Sequence, residues 1–347
     1  MRAVSLLPIL FAWSFLVRPA AAQPPRKVIV GTAMQAFWGK YPGLDKRLDE
    51  LAGLIDQMAA ESTRKYGRGL DLAVLPEVAV TGEMSGDVVA GSVPFEGRVR
   101  EVFARKARQH RCYIVVPMYL LEDRGKKLCS NVGVLVDRNG ETAGIYRKLH
   151  LAVPSGSDSM EGGITPGTQV PVFQCDFGKL GIQICFDMEY DYGWSELARQ
   201  GAELVAWPTQ SPQTSHPAFR AMQNRYYIVS STWRHNASLF EPTGKIAAQI
   251  REPAHVLVEQ IDLSYAILPW SGPLQNGAAF REKFGERAGY HYYEDEDCGI
   301  FWSNDPRTSI TEMVRSLGLT EQAAELRRIR NLYRKAGVPA YTTEEGR

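Results

Sequence analysis

The stretch KLGIQICFDMEY, Lys179–Tyr190, decides how this chain is read. An apolar run of strand length ends in one cysteine and then turns acidic. Side chains alternate across a strand, so Leu180, Ile182 and Ile184 share one face while Gly181, Gln183 and Cys185 share the other. Gly181, with no side chain, leaves room on that face for close approach of backbone or substrate. Taken alone, a cysteine closing an apolar strand is a packing residue, because a free thiol behaves as a small hydrophobe. Its neighbours along the chain change that reading.

Upstream, KVIVGTAMQ (27–35) reads as a buried strand, and Leu44 to Tyr66 repeats Leu44, Leu48, Leu51, Ile55 and Met58 at helical spacing. LDLAVLPE is a short strand halted by Pro76, which removes a ladder donor and leaves Glu77 at the carboxyl end. A helix from Phe95 to His110 precedes the strand CYIVVPMYL. NVGVLVDRNGETAGIYRKLHL then reads as a hairpin turning at Asn139-Gly140, the pair suited to positive φ. Alternation there places Tyr146, Lys148 and His150 on one face, and residues 152–167 form a loop rich in Gly, Ser and Pro. Downstream, WSELARQG is a short helix closed by Gly201, and AELVAWP, RYYIVSSTW and AHVLVEQIDL are further strands. Strands alternating with helices from Lys27 to about Leu263 define an α/β domain. Beyond it the chain carries irregular aromatic and acidic segments, then a helix from about Thr320 to Ala336 that Gly337 closes.

Sites in α/β sheets gather outside the carboxyl ends of strands, where Glu77 and Cys185 both fall. The order LPE (Glu77), YRKLHL (Lys148), ICFD (Cys185), with TPG at Thr165–Gly167, ARQGAEL after the cysteine and FRAMQNRYYIVSST beyond, resembles the nitrilase superfamily of carbon–nitrogen hydrolases. That family uses a Glu-Lys-Cys triad, and the resemblance covers roughly residues 27–265. It implies a four-layer α-β-β-α sandwich, often paired across a helical face into a homodimer or higher homo-oligomer, and no cofactor.

The resemblance assigns Glu77 as general base and acid, Cys185 as nucleophile, and Lys148 with the Phe186 backbone N–H as oxyanion donors. The chemistry agrees. A thiolate attacks a carbonyl or nitrile carbon far better than a thiol, and an adjacent ammonium favours the thiolate. Many members carry another glutamate between lysine and cysteine; Glu161 in SMEGGITPG is the candidate here. The acids of HYYEDEDCG (291–299) are consecutive, point in different directions and fit a solvated surface, so no metal site is assigned.

The charges nearly cancel, 40 basic against 39 acidic residues, which argues against a nucleic-acid footprint and for a small-molecule or protein partner. Arg2, the apolar run Val4–Val17 and Ala20-Ala21-Ala22 have the layout of a cleavable secretory signal. Fourteen apolar residues fall short of the roughly 20 that span a bilayer. Residues 1–22 are therefore expected to be a signal peptide, 27–265 the hydrolase domain and 266–347 a C-terminal extension that wraps an interface, in a secreted or periplasmic protein. Five widely spaced cysteines leave at least one thiol free and show no zinc-type pairing.

The function expected is hydrolysis of a non-peptide C–N bond, in an amide or carbamoyl compound, through a Cys185 thioester. Nitrile hydrolysis and acyl transfer on the same triad are the alternatives, as is a catalytically silent binding protein. A papain-like Cys/His peptidase, drawing on His150, His216 or His235, lacks that family's local signature. Asp187 and Glu189 in DMEY stand where some carboxylate-binding amidases carry basic residues, which predicts a cationic or neutral substrate.

Overall fold

A computed structural model describes residues 24–82, 87–153 and 155–339. The expected signal segment, 1–22, lies outside them. The first half runs β1 (Lys27–Ala33), α1 (Leu44–Tyr66), β2 (Leu72–Val74), α2 (Val88–Gly91), α3 (Arg98–His110), β3 (Tyr113–Asp123), β4 (Leu128–Val136) and β5 (Thr142–Arg147). The second runs β6 (Val172–Gln174), β7 (Lys179–Ile182), α4 (Asp191–Arg199), β8 (Leu204–Pro208), α5 (Ser215–Asn224), β9 (Tyr227–Ser231), β10 (Asn236–Phe240) and β11 (Ile246–Arg251), and β12 (Val256–Asp262) returns to the first sheet. The strand orders are β12-β1-β2-β3-β4-β5 and β11-β10-β9-β8-β7-β6.

Alternation along the strands sorts their side chains into three apolar layers. Val28, Val30, Leu72, Val74 and Val115 of the first sheet meet Leu180, Ile182, Leu204, Ala206 and Val229 of the second between the sheets. On the outer face of the first sheet, Ile29, Ala73, Ile114 and Val116 pack beneath α1 and α3, through Leu48, Leu51, Ile55 and Phe103. On the outer face of the second, Val205, Trp207 and Ile228 pack beneath Trp194, Leu197 and Ala221 of α4 and α5. The result is the α-β-β-α sandwich. Each fully buried aliphatic side chain contributes about 1.5–3 kcal/mol of transfer free energy, so the period-two pattern of each strand fixes which layer it joins.

Helix α1 has the bounds its periodicity predicts and ends at Gly67 in the left-handed region, φ 67°. Helix α3 starts later than expected, at Arg98, because Gly97 before it adopts φ 91°. In the β4–β5 hairpin only Gly140 takes positive φ. Asp137 holds the turn instead, its carboxylate accepting from the Asn139 and Glu141 N–H groups at 2.8 and 2.9 Å. That is a type I turn closed by glycine rather than the two-residue turn expected.

Two expectations need correction. Gly181 makes room for neither backbone nor substrate: a Cβ there would lie 2.7 Å from Leu197 Cδ1, so the glycine lets α4 sit close on the sheet. The region after 265 is not irregular. It forms β13 (Tyr265–Pro269), α6 (Ala278–Phe284), β14 (Ala288–Tyr293), β15 (Cys298–Ser303), α7 (Ile310–Ser316) and α8 (Gln322–Lys335). The strands pair in the order β13-β15-β14, and Leu268, Phe280, Phe301 and Met313 give this extension its own core. Its aromatic residues obscure alternation because both faces of these strands are partly covered. All five cysteines are free thiols, and no described helix is long and apolar enough to cross a membrane.

Candidate active site

The two sheets are tied together at the end where their parallel strands finish. The Ser231 hydroxyl is within hydrogen-bond distance of the Ala33 and Val74 carbonyls, at 2.9 and 3.0 Å, and the Thr232 N–H donates to Ala33 O at 3.1 Å. Around this seam the chain leaves β2, β5, β7, β8 and β9. Glu77, Lys148, Cys185, Gln210 and Arg234 follow those strands in turn and line a single cavity of about 390 Å³.

Glu77 and Lys148, both buried, cluster with the partly buried Glu161. Lys148 Nζ lies 2.9 Å from Glu77 Oε1 and 2.9 Å from Glu161 Oε2. Asn131 Nδ2 donates to the same two residues, at 2.9 Å to Glu77 Oε1 and 2.6 Å to Glu161 Oε1, and the Tyr119 hydroxyl donates to Glu161 at 3.3 Å. The Glu77 backbone is pinned as well, its carbonyl accepting from the Trp233 indole at 2.9 Å. Gly167 of the TPG motif braces the lysine: its N–H donates to Lys148 O at 2.8 Å, and a Cβ there would come 2.3 Å from Arg147 O. Among the described residues Glu77 Oε2, like Asn131 Oδ1, is buried without a hydrogen-bond partner, and Cys185 lies beside this carboxylate.

Cys185 does not end a strand. β7 stops at Ile182, and Cys185 opens a short 3₁₀ turn, Cys185–Glu189, at φ 41°. A non-glycine residue in that region is strained and persists only where surrounding bonds hold it. Here the Trp207 indole N–H donates to Cys185 O at 3.2 Å. Asp187, fully buried, accepts from the Ile184 N–H at 2.9 Å, from the Tyr146 hydroxyl at 2.7 Å and from the His150 N–H at 2.9 Å. One carboxylate thus joins the cysteine turn to the lysine segment. Tyr146 and His150 turn to Asp187 while Lys148 turns to the glutamates, so the three do not share a face as strand alternation predicted; β5 has ended at Arg147. Among the described residues no backbone acceptor takes the Phe186 N–H, which leaves it free at the start of the turn.

The electrostatics set the resting protonation. Burial raises the Glu77 carboxyl above its ordinary range; Lys148 opposes this and Glu161 adds to it. Burial works against the Lys148 charge, but Glu77, Cys185 and Glu161 together hold its ammonium well above the usual lysine range. Burial and then the Glu77 charge push the Cys185 thiol up to about 12, against the pull of Lys148. The ammonium does favour the thiolate, as expected, but burial and Glu77 outweigh it, so the free site holds a thiol beside a base.

The structure therefore brings together Glu77, Lys148, Cys185, Phe186 and Glu161, which lie up to 109 positions apart in sequence. Sequence reasoning missed Asn131, Tyr119, Trp233 and Arg234. Asn131 left a signal, an amide within the largely apolar strand β4, fully buried; Tyr119 did not stand out within β3, and Trp233 and Arg234 lie beyond the end of β9. The acidic DMEY segment does not face the cavity as expected. Asp187 is consumed internally, and Glu189 sits at the surface near Gln213 Nε2, 3.3 Å away, and His216.

A four-layer sandwich with an acid, an ammonium and a thiol at adjoining strand ends defines an α/β enzyme that can carry out acyl chemistry on cysteine. The chain belongs to the carbon–nitrogen hydrolase family, whose model matches residues 33–268. It is similar to human deaminated glutathione amidase, 26% identical over 236 residues, 59% of this chain and 71% of that protein. An omega-amidase of Danio rerio is 25% identical over 223 residues, 57% of this chain and 79% of that protein. In fold it is similar to Saccharomyces cerevisiae Nit3, a member of branch 10 of the nitrilase superfamily, with TM-score 0.59, 18% identity and coverage of 76% of this chain and 97% of that one. An amidase from Nesterenkonia sp. superposes with TM-score 0.57 at 21% identity, over 70% of this chain and 93% of that one.

Proposed function

We propose that this enzyme hydrolyses a non-peptide C–N bond of a small amide or carbamoyl compound through a thioester on Cys185. The observation that carries the reading is the free Glu77 Oε2 beside a half-buried thiol on the floor of one cavity. Glu77 takes the thiol proton as sulfur attacks the carbonyl carbon. Lys148 and the Phe186 N–H stabilise the resulting oxyanion. Glu77 then passes its proton to the leaving nitrogen, and subsequently activates the water that cleaves the thioester and restores the thiol. Glu161 keeps Lys148 charged and placed. The names of the relatives, deaminated glutathione amidase and omega-amidase, favour an amide over a nitrile.

Incubation with a panel of small amides, followed by rapid acid quench and intact-mass and peptide analysis, is expected to show an acyl group on the peptide bearing Cys185. Acyl transfer to another residue, or ammonia release with no adduct under any quench and a fully alkylation-resistant Cys185, would overturn the thioester.

The pH dependence follows from Glu77. A base acts only when deprotonated, and this carboxyl is raised above the ordinary 4.5. kcat/KM is therefore expected to fall as pH drops through a midpoint above that value. An acid limb at or below 4.5 would remove Glu77 from the role of base.

We further propose that residues 1–22 direct the protein out of the cytoplasm, that residues 27–265 form the catalytic domain, and that the enzyme pairs across α4 and α5. Exposed Tyr190, Tyr192, Phe219 and Met222 on and beside those helices support the pairing. Residues 266–347 are assigned to the assembly rather than to the chemistry, since none of the described residues among them lines the cavity.

A further inference from the structure

Among the described residues four charged side chains line the cavity, and three of them pair with one another. Glu77 and Lys148 are buried at its floor, Glu161 is nearly so, and Lys148 is bonded to both glutamates. The fourth, Arg234, is half-buried on the wall, and among the described residues no carboxylate lies within ion-pair distance of its guanidinium. Other part-buried arginines of this chain are engaged: Arg26 with Glu203, Arg138 with Asp71 and Asp176, Arg147 with Glu122, Arg220 with Asp191. A partly buried guanidinium without a counter-charge is poorly compensated, and in a ligand cavity the group that best matches it is a carboxylate taken in bidentate fashion.

The backbone that carries Arg234 is fixed rather than adaptable. Trp233 before it is tied to Glu77 O at 2.9 Å, and the carbonyl of Arg234 accepts from the Asn236 N–H at 2.8 Å across His235, which adopts φ 66°. The link from Trp233 to Glu77 ties the backbone that carries Arg234 to the catalytic floor. Trp38, exposed and packed edge-on against Trp233 with ring centroids 5.8 Å apart, forms an apolar wall of the same cavity. Gln210 and Ser211 supply neutral polar groups. At about 390 Å³ the space suits a small ligand at the lower end of the range of roughly 300–1,000 Å³ typical of such sites.

We infer that Arg234 is a specificity-determining residue that binds a carboxylate, so that the substrate is a small amide carrying a carboxylate at the end away from the scissile bond. This rests on the amidase reading above and replaces the cationic or neutral substrate that the acidic DMEY segment predicted. Each end of such a molecule then meets its complement, the amide carbonyl at Cys185 and Lys148, the carboxylate at Arg234.

The test separates recognition from catalysis by measuring binding to the full chain bearing Cys185→Ala, using calorimetry with malonamate, succinamate and glutaramate, each beside its neutral diamide. At least one anionic amide is expected to bind about 10- to 100-fold more tightly than its diamide, the range of a charge-assisted hydrogen-bond pair. The preference is expected to vanish when Arg234→Ala is added and to return in part with Arg234→Lys, and to weaken with added salt. Equal binding of anionic and neutral amides at all three lengths, no binding of any of them, or a preference that survives Arg234→Ala would overturn the inference. If the preference is present while the wild-type enzyme releases no ammonia from the same compounds, the carboxylate site stands and the amidase reading fails.

Discussion

Cys185→Ala is expected to abolish turnover, with kcat lower by about four orders of magnitude or more, while the folded state is kept. The size of the effect follows from the division of labour in the cavity. Every other group placed there acts on a tetrahedral carbon that the sulfur must first create: Glu77 has no thiol proton to take, and Lys148 and the Phe186 N–H have no oxyanion to hold. Removing a nucleophile costs nearly as much as removing the whole catalytic unit, because its members act together rather than additively. The fold loses little. The strained φ of 41° at this position is held by the Trp207 bond to the residue's carbonyl and by Asp187, neither of which uses the thiol. Near-wild-type circular dichroism and melting with no detectable ammonia release is the expected pair of results; substantial activity in the folded variant would dismiss the Cys185 thioester.

Lys148→Met has the second-largest expected effect, on stability as well as on rate. The ammonium is buried and lies 2.9 Å from a carboxylate oxygen of each of two glutamates, one buried and one nearly so. Methionine keeps much of the volume but leaves those carboxylates facing each other with one amide, Asn131, between them. Removing one partner of a buried ion pair costs about 3–5 kcal/mol, far more than the pair itself adds to stability. The variant's escape is for Glu77 to hold its proton to still higher pH. With its folded pKa raised above the unfolded one, the penalty appears as pH rises above the unfolded value and fades in acid, where both states are protonated. Urea unfolding is expected to show the deficit fully near pH 8 and much reduced near pH 4. The rate is expected to fall by at least about 10²–10³-fold from the lost oxyanion donor, and further from the protonated base. A variant as stable as wild type at pH 8 would contradict the buried charge cluster.

How much of this was legible beforehand differs by feature, for identifiable reasons. α1 was read with its bounds intact because its apolar face repeats over 23 residues and closes on a glycine. The sandwich strands were legible because they are buried on both faces or strictly alternating. The β10–β11 hairpin and the strands of the extension were not, since β11 is half-exposed throughout and β14 is aromatic on both faces. Glu77, Lys148 and Cys185 were found through their order and flanking motifs. Asp187 was misread as a substrate-facing acid, because a local sequence does not show that its carboxylate is enclosed by Tyr146, His150 and Ile184 from two segments.

By itself the sequence determined the strongly periodic elements, α1 and the core strands, and through the order of the motifs Glu77, Lys148 and Cys185, because periodicity and residue type are local properties. Only the tertiary structure decided what those residues do to one another. It pushed the Cys185 thiol up, since burial and the Glu77 charge outweigh Lys148, and it brought Arg234, with no carboxylate at ion-pair distance among the described residues, into the same cavity. Both outcomes depend on distances across the seam between two sheets, and no spacing along the chain encodes a distance between strands that meet only in the fold.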